Sequence, residues 1–343
     1  MTEGYNATFN CTALWKTWLD QVVVGDALTL LQRLPAGRIA LTCCSPPYFQ
    51  QRRYTEFPDE IGQEATVEAY VDSVMAVFEE CLRVTHENGS IVFNLGDKYV
   101  DGNLLLVPAR FALRARDKAT LINEVTWVKK NPTPRQYKRR LSSATEKFYH
   151  FVKGPRYHYD LAALQPPVRR PASDSLADRC STIGDGYLKI IAESGLTDAE
   201  KINAVAALRS AQNEVRTGRI HSIRMKIRGK HSLPFGGQEG GRKTQILKNG
   251  FTIIRLHGQT LHPDYLVAPV ETIRGIKHPA VYPRSLVEKF VKLTTRPGDV
   301  VLDPFAGSGT TCLVSKQLGR HFIGFDLCSD FVEAARQRVQ GGL

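Results

Sequence analysis

The 343-residue sequence predicts an α/β protein built on a doubly wound, mostly parallel sheet. Three observations carry that expectation. Short apolar runs alternate with amphipathic segments of helical length in both the first and the last part of the chain. Val300–Asp303 leads through a glycine-rich turn straight into another apolar-periodic segment, a strand–loop–helix unit. Between the two parts, a stretch from about Gln165 to Lys248, rich in Arg, Lys, Gly, Ser and Pro, interrupts the alternation.

Val22–Val24 is a short apolar run that ends at Gly25-Asp26, and Ala27–Leu34 reads as a helix stopped by Pro35-Ala36-Gly37. Ile39–Cys43 is too short for a helix and reads as a buried strand. The prolines of Ser45-Pro46-Pro47-Tyr48 forbid its continuation. From Thr66 to Val84, Val67, Tyr70, Val71, Val74, Val77, Phe78, Cys81 and Leu82 fall on one side of a helix. Asn88-Gly89 is expected to end it. Strands follow at Ser90–Leu95, Leu121–Val128 and Phe148–Lys153, with a helix over Leu104–Arg116. In the irregular stretch only Thr197–Glu214 reads as helical, and Gly236-Gly237 and Gly240-Gly241 read as loop. The α/β pattern resumes with a helix over Ser285–Leu293, a strand at Val300–Leu302, a helix over Thr310–Leu318, a strand at Phe322–Phe325 and a helix over Phe331–Val339.

With 42% hydrophobic residues the chain can bury a sizeable core, and no apolar run reaches the roughly 18–20 residues of a membrane span. No basic-then-apolar leader opens the sequence, so a cytoplasmic protein is expected. Seven scattered cysteines without a Cys-x-x-Cys pair predict neither a disulfide framework nor a zinc site, and no metal is expected. The net charge of +12 points to a polyanionic partner.

The string Asp303-Pro304-Phe305-Ala306-Gly307-Ser308-Gly309-Thr310-Thr311 turns a strand sharply into a helix, and its glycines let a ligand lie against the backbone. It lacks the third glycine of a dinucleotide fingerprint and the Gly-Lys-Ser/Thr of a phosphate loop, which disfavours NAD and ATP. Asp326, at the end of the next strand and 23 residues after Asp303, stands where a carboxylate can bind two ribose hydroxyls. The whole string resembles the S-adenosylmethionine-binding motif of amino-group DNA methyltransferases. His278-Pro279-Ala280-Val281-Tyr282-Pro283 resembles the same family's His-Pro-Ala-x-Phe-Pro segment, with Tyr282 in place of Phe. Gly25-Asp26 resembles its third cofactor segment, in which an acidic residue lies near the adenine.

In that family Ser45-Pro46-Pro47-Tyr48 corresponds to the catalytic loop, and here it follows a buried strand at the edge where open sheets place ligands. The chemistry accounts for the residue types. An exocyclic base amine is a poor nucleophile because its lone pair is conjugated with the ring. The Ser45 hydroxyl oxygen and the Pro46 carbonyl can accept its N–H groups and localise that lone pair. Pro46 and Pro47 fix the acceptors in advance. Tyr48 can stack on an extruded base. Positioning then favours in-line attack on the sulfonium methyl, without Ser45 acting as a strong base. A C5-cytosine mechanism needs a nucleophilic Cys after Pro, and the chain has no Pro-Cys pair. Phe93-Asn94-Leu95-Gly96-Asp97 resembles the family's next strand, with Asn94 and Asp97 either shaping the base pocket or capping a turn.

Two nearly acid-free basic runs are candidates for phosphate contact. One, from Lys129 to Arg156, includes Lys130, Arg135, Lys138, Arg139 and Arg140, with Glu146 its one acid. The other, from Arg216 to Arg255, includes Arg224, Lys226 and Arg228, with Glu239 its one acid. The first overlaps Trp127-Val128-Lys129-Lys130-Asn131-Pro132-Thr133-Pro134, which resembles the family's Trp-x-Lys-x-x-x-x-Pro region. The resemblance covers about residues 20–160 and 260–340, with the catalytic motif before the cofactor motif, as in the β group of these enzymes. It implies a Rossmann-like SAM-dependent methyltransferase fold, a seven-stranded sheet with one antiparallel strand. Its catalytic half would span 20–164, an inserted target-recognition region 165–255, and its SAM-binding half 256–343. It implies methyl transfer to a flipped base in double-stranded DNA, with a homodimer and a cognate restriction endonuclease as partners. Ser45 favours N4 of cytosine. N6 of adenine and a DNA-binding protein with a vestigial site remain the alternatives.

Overall fold

The computed structural model describes residues 11–57, 60–132, 137–164, 184–234, 241–256, 262–271 and 282–341. The chain divides into two compact units, Met1–Leu164 with Pro263–Leu343, and Gln165–His262. His278, Pro279 and Arg135, expected above to contact cofactor or DNA, lie outside the described residues, as do Gly236, Gly237 and Gly240.

The first unit begins with helix α1 (Cys11–Trp18), strand β1 (Gln21–Val24), helix α2 (Ala27–Gln32) and strand β2 (Ile39–Cys44). Helix α3 (Val67–Val84) is capped by Thr66, whose hydroxyl accepts from the Ala69 N–H at 3.2 Å. Strand β3 runs Thr85–Leu95, so helix passes into strand at Thr85 and not at the Asn88-Gly89 pair. Gly89 is inside the strand, where a Cβ would meet the Ala40 carbonyl oxygen at 2.9 Å. It serves close strand packing rather than a stop.

Strands β4 (Tyr99–Val100) and β5 (Asn103–Leu104) form a small hairpin about Asp101-Gly102, both at positive φ. The hairpin takes Leu104, and helix α4 starts at Val107 and ends at Arg116. Strands β6 (Thr120–Lys129) and β7 (Thr145–Val152) complete the first half.

The second unit is folded around its own core. Helix α5 (Asp185–Ala192) precedes α6 (Asp198–Arg216), which opens on a capping box of Thr197 and Glu200. Strand β8 (Ser222–Ile227), helix α7 (Arg242–Asn249) and strand β9 (Phe251–Leu256) follow, with β8 and β9 antiparallel. Leu208, Ala211, Ile223, Met225 and Ile227 are buried together. The sequence reading of this region, one helix in an irregular stretch, therefore missed two helices and a strand pair among the described residues.

The chain returns to the first unit with β10 (Tyr265–Ala268), α8 (Arg284–Thr294), β11 (Val300–Asp303), α9 (Thr310–Gln317), β12 (His321–Asp326) and α10 (Ser329–Gly341). The main sheet has the order β1-β12-β11-β2-β3-β7-β6-β10, with β7 antiparallel to both neighbours and the other pairs parallel. It has eight strands where seven were expected. The eighth, β10, extends the β6 edge in parallel; only Ala268 of it is buried, while Tyr265 and Val267 are about half exposed. Its sequence, Tyr265-Leu266-Val267-Ala268, is a short apolar run that the sequence reading did not assign.

Both faces of the sheet are covered. Ile91, Phe93 and Leu95 of β3 point to the α2–α3–α4 side, and Val92 points to the α8–α9 side. Phe78 of α3 packs edge-on against Phe93, Phe111 and Phe151 at centroid distances of 5.6, 5.6 and 5.0 Å. These contacts carry the centre of the larger core. From β11 the chain moves to β12 on one side, and from β2 to β3 on the other. The strand order thus reverses between β11 and β2, which opens a crevice at their carboxyl ends.

Candidate active site at the switch point

The crevice holds a cleft of about 950 Å³, part of it open to solvent. The β11–α9 loop forms one wall. Gly309 ends it at φ +73°, where a Cβ would lie 2.9 Å from Ala335 Cβ of α10. The loop is tied to β12 by Ala306 N–H donating to Phe325 O (2.7 Å) and Gly307 N–H donating to Asp326 Oδ2 (2.8 Å). Arg338, buried on α10, braces its far side by donating to Ser308 O (3.0 Å) and Thr310 Oγ1 (2.9 Å).

Of the residues expected to hold the cofactor, Asp26, Tyr282, Pro304, Phe305, Gly307, Ser308, Thr310 and Asp326 line the cleft. Asp303, Pro283 and Gly309 do not; they shape it from behind. Asp303 is buried, accepts from Phe305 N–H and the Tyr282 hydroxyl at 3.0 Å each, and so holds the start of the loop. Burial pushes its carboxyl up to about 6, against the downward pull of the hydrogen bonds from Thr311, Phe305 and Tyr282. Burial raises Asp326 as well, opposed by the Cys328 and Gly307 amides. Asp26 caps α2 through Oδ1, which accepts from Thr29 N–H (2.8 Å) and Thr29 Oγ1 (2.7 Å).

Sequence reasoning missed Tyr54, Thr55, Glu60, Ile61, Leu327 and Phe331, which also line the cleft. Glu60 is buried and accepts from the Tyr54 and Thr55 amides at 2.8 Å each, which folds this loop back over the cleft. The cleft fits S-adenosylmethionine. Phe305, Ile61, Leu327 and Phe331 give it apolar lining, and Asp326 lines it at the end of β12. Asp26, Glu60 and Asp326 make it acidic in a chain of net charge +12, which suits a cationic ligand.

The Ser45–Tyr48 loop leaves β2, the strand paired with β11, and so starts beside the glycine loop. The Tyr70 hydroxyl of α3 donates to Pro47 O at 2.9 Å, and no hydrogen bond among the described residues engages the Pro46 carbonyl. Tyr48 lies against Gly96, where a Cβ would be 2.4 Å from Tyr48 Cε2. Its hydroxyl is 2.8 Å from both Asn94 Oδ1 and Glu146 Oε2. Ser45 Oγ is 3.3 Å from Asn94 Oδ1 and from the Tyr48 hydroxyl. Burial, and after it Glu146, holds the Tyr48 phenol well above its usual range. Of the two expected pocket residues, Asn94 belongs to this cluster, whereas Asp97 supports the approach to α4 by accepting from Val107 N–H at 3.1 Å.

The basic residues have mixed fates. Lys129 is paired with Glu146 Oε1 and lies 5.1 Å over Trp127, so its charge is compensated inside the site and is not available to phosphate. Arg140 stacks on Tyr137 and Tyr99. Lys130, Lys138 and Arg139 are exposed. In the second unit Arg228 pairs with Glu200 at 2.7 Å, a structural contact rather than a free cation. Lys226 donates to Ser232 O at 3.3 Å, and Arg224 is exposed.

A family model for DNA methylases of the N6 and N4 type matches residues 39–337. The chain belongs to this family. It is a DNA methyltransferase, and its methyl donor is S-adenosylmethionine. It is 28% identical to Type II methyltransferase M.SfiI of Streptomyces fimbriatus, over 89% of this chain and 87% of that one. It is 24% identical to Type II methyltransferase M.XycI of Xanthomonas campestris pv. cyanopsidis, over 92% and 86%. Among solved structures, the fold is similar to that of PvuII DNA methyltransferase (cytosine-N4-specific), with a TM-score of 0.55, 18% identity and coverage of 94% and 93%. It is also similar to a DNA modification methylase of Thermus thermophilus solved with S-adenosyl-L-methionine, with a TM-score of 0.50, 20% identity and coverage of 94% and 93%. The fold is thus the Rossmann-like one of SAM-dependent methyltransferases.

Proposed function

We propose that the chain methylates N4 of cytosine in double-stranded DNA, on a base turned out of the helix into the cleft. The observation that carries this reading is Ser45, a neutral hydroxyl at the head of the catalytic loop, beside a Pro46 carbonyl that no protein donor among the described residues engages. S-adenosylmethionine supplies an electrophilic methyl. Asp326 accepts from the donor's ribose, Asp26 lies near its adenine, and Tyr282, Pro304, Phe305, Gly307, Ser308 and Thr310 wall its site. Ser45 Oγ and Pro46 O accept the two amine N–H groups, and the Tyr48 ring stacks on the base. The serine at this position and the cytosine-N4 specificity named for the PvuII enzyme both favour cytosine.

The unit from Gln165 to His262 is proposed to read the target sequence, with Arg224 and the exposed Lys130, Lys138 and Arg139 among the residues that meet phosphate. Its relatives are named Type II methyltransferases, which supports a cognate restriction endonuclease; a homodimer is proposed on the family resemblance. No helix among the described residues is long and apolar enough to cross a membrane, in keeping with a proposed site of action in the cytoplasm. Digestion to nucleosides of DNA from cells producing the chain, with mass detection, is expected to give N4-methylcytosine. N6-methyladenine instead would move the assignment to adenine. The absence of both, with no transfer from tritiated donor, would favour a vestigial site.

A further inference from the structure

The Tyr48 hydroxyl stands 2.8 Å from two acceptors, Asn94 Oδ1 and Glu146 Oε2, yet has one proton to give. Reversing the Asn94 amide does not relieve this, because its Nδ2 donates to Lys147 O at 3.2 Å. Ser45 adds one more proton and two more contacts, at 3.3 Å to Tyr48 and to Asn94. Two hydroxyl protons thus serve four oxygen–oxygen contacts, and one of the two short ones has no proton in it. Glu146 is held in place by Lys129 on its other oxygen. Both short contacts hold a proton only when the cluster has one proton more than it has at rest.

The reaction releases one. An exocyclic amine that has gained a methyl group carries a proton too many, and in that state it is a far stronger acid than a carboxylic acid. We infer that Glu146 is the terminal acceptor of that proton, reached through Ser45 and Tyr48. The amine N–H bond breaks with its electron pair left on nitrogen, and the proton goes to Ser45 Oγ. The Ser45 proton passes to Tyr48 Oη, and the Tyr48 proton passes to Glu146 Oε2. Afterwards Glu146 donates to Tyr48 Oη, and Tyr48 donates to Asn94 Oδ1, so both 2.8 Å contacts hold a proton. Lys129 loses its ionised partner for that interval, and return of the proton to solvent restores the pair. Asn94 is a positioning residue here: it keeps the Ser45 and Tyr48 oxygens together.

This relay rests on methyl transfer to an exocyclic amine and holds for either base, so the nucleoside assay does not decide it. The test uses the full chain, S-adenosylmethionine and DNA that the wild-type chain methylates. Glu146→Gln keeps the size of the side chain and an acceptor for Tyr48 but takes up no proton. Its single-turnover transfer rate is expected to fall about 10²-fold, the lower end of general acid–base contributions, with dissociation constants for DNA and donor within about twofold of wild type. Tyr48→Phe should fall comparably, and the double variant no further than the worse single one. Glu146→Asp, which retains a carboxylate, should recover part of the rate. Wild-type rate in Glu146→Gln, losses that multiply in the double variant, or a loss matched by weakened binding would overturn the relay. A wild-type chain that methylates no base would instead overturn the functional reading beneath it.

Discussion

The two sides of the cleft meet at adjacent strands, yet they are built differently. On the side of the glycine loop, backbone amides hold the carboxylates, Gly307 N–H and Cys328 N–H on Asp326 and Phe305 N–H on Asp303, with the Tyr282 hydroxyl and Arg338 as further donors. On the side of the Ser45–Tyr48 loop, side chains hold one another: Ser45, Asn94 of β3 and Glu146 of β7 meet at the Tyr48 hydroxyl, and Lys129 of β6 pairs with Glu146. A site that binds the same small molecule in every cycle is served by fixed amides. A site that must move a proton needs groups that exchange one. Damage on one side should therefore appear as lost affinity, and on the other as lost rate.

The largest effect that would break this comparison concerns Gly96. Alanine there places a Cβ 2.4 Å from Tyr48 Cε2, so the ring must shift by about 1 Å, enough to cost about 10²-fold in rate. Single-turnover kinetics should show that loss, while equilibrium dialysis shows unchanged binding of the methyl donor. Weaker donor binding in Gly96→Ala would mean that the two sides are not separable.

A second effect, on stability and not on rate, concerns Asp303. Its folded carboxyl titrates near 6, above the unfolded value of 3.8, because of burial. The native state therefore binds more protons than the unfolded one between these values, and stability falls as pH rises through that window. The difference amounts to about 3 kcal/mol at about 1.4 kcal/mol per pH unit. Measured against Asp303→Asn by chemical denaturation, wild-type stability should decline from about pH 4 to pH 6 and run parallel above it. Parallel behaviour throughout would contradict a buried, ionising Asp303.

Legibility in the sequence followed the same divide. The cofactor loop was readable because backbone geometry there demands particular residues, glycine at Gly309 above all. The main strands were readable because burial on both faces makes them continuously apolar, as in Ile39–Cys44. Glu146 was visible as the one acid in a basic run, but its meaning depends on β7 lying between β3 and β6, which no local pattern encodes. Arg338 and Glu60 act through contacts of similarly long range or irregular loop shape. In the second unit the signal existed and was misassigned. Ile223, Met225 and Ile227 alternate with Arg224 and Lys226, a strand pattern that the concentration of basic residues concealed.

Ser45 and Asp326 are proposed to serve separate tasks in one cleft. The most direct measurement takes donor affinity and transfer rate together in Ser45→Ala and Asp326→Ala. Ser45→Ala is expected to bind S-adenosylmethionine as the wild type does and to transfer no detectable methyl group. Asp326→Ala should bind it about tenfold or more weakly, as expected for a lost charge-assisted hydrogen bond. Full transfer by Ser45→Ala, or unchanged donor affinity in Asp326→Ala, would contradict this separation of tasks.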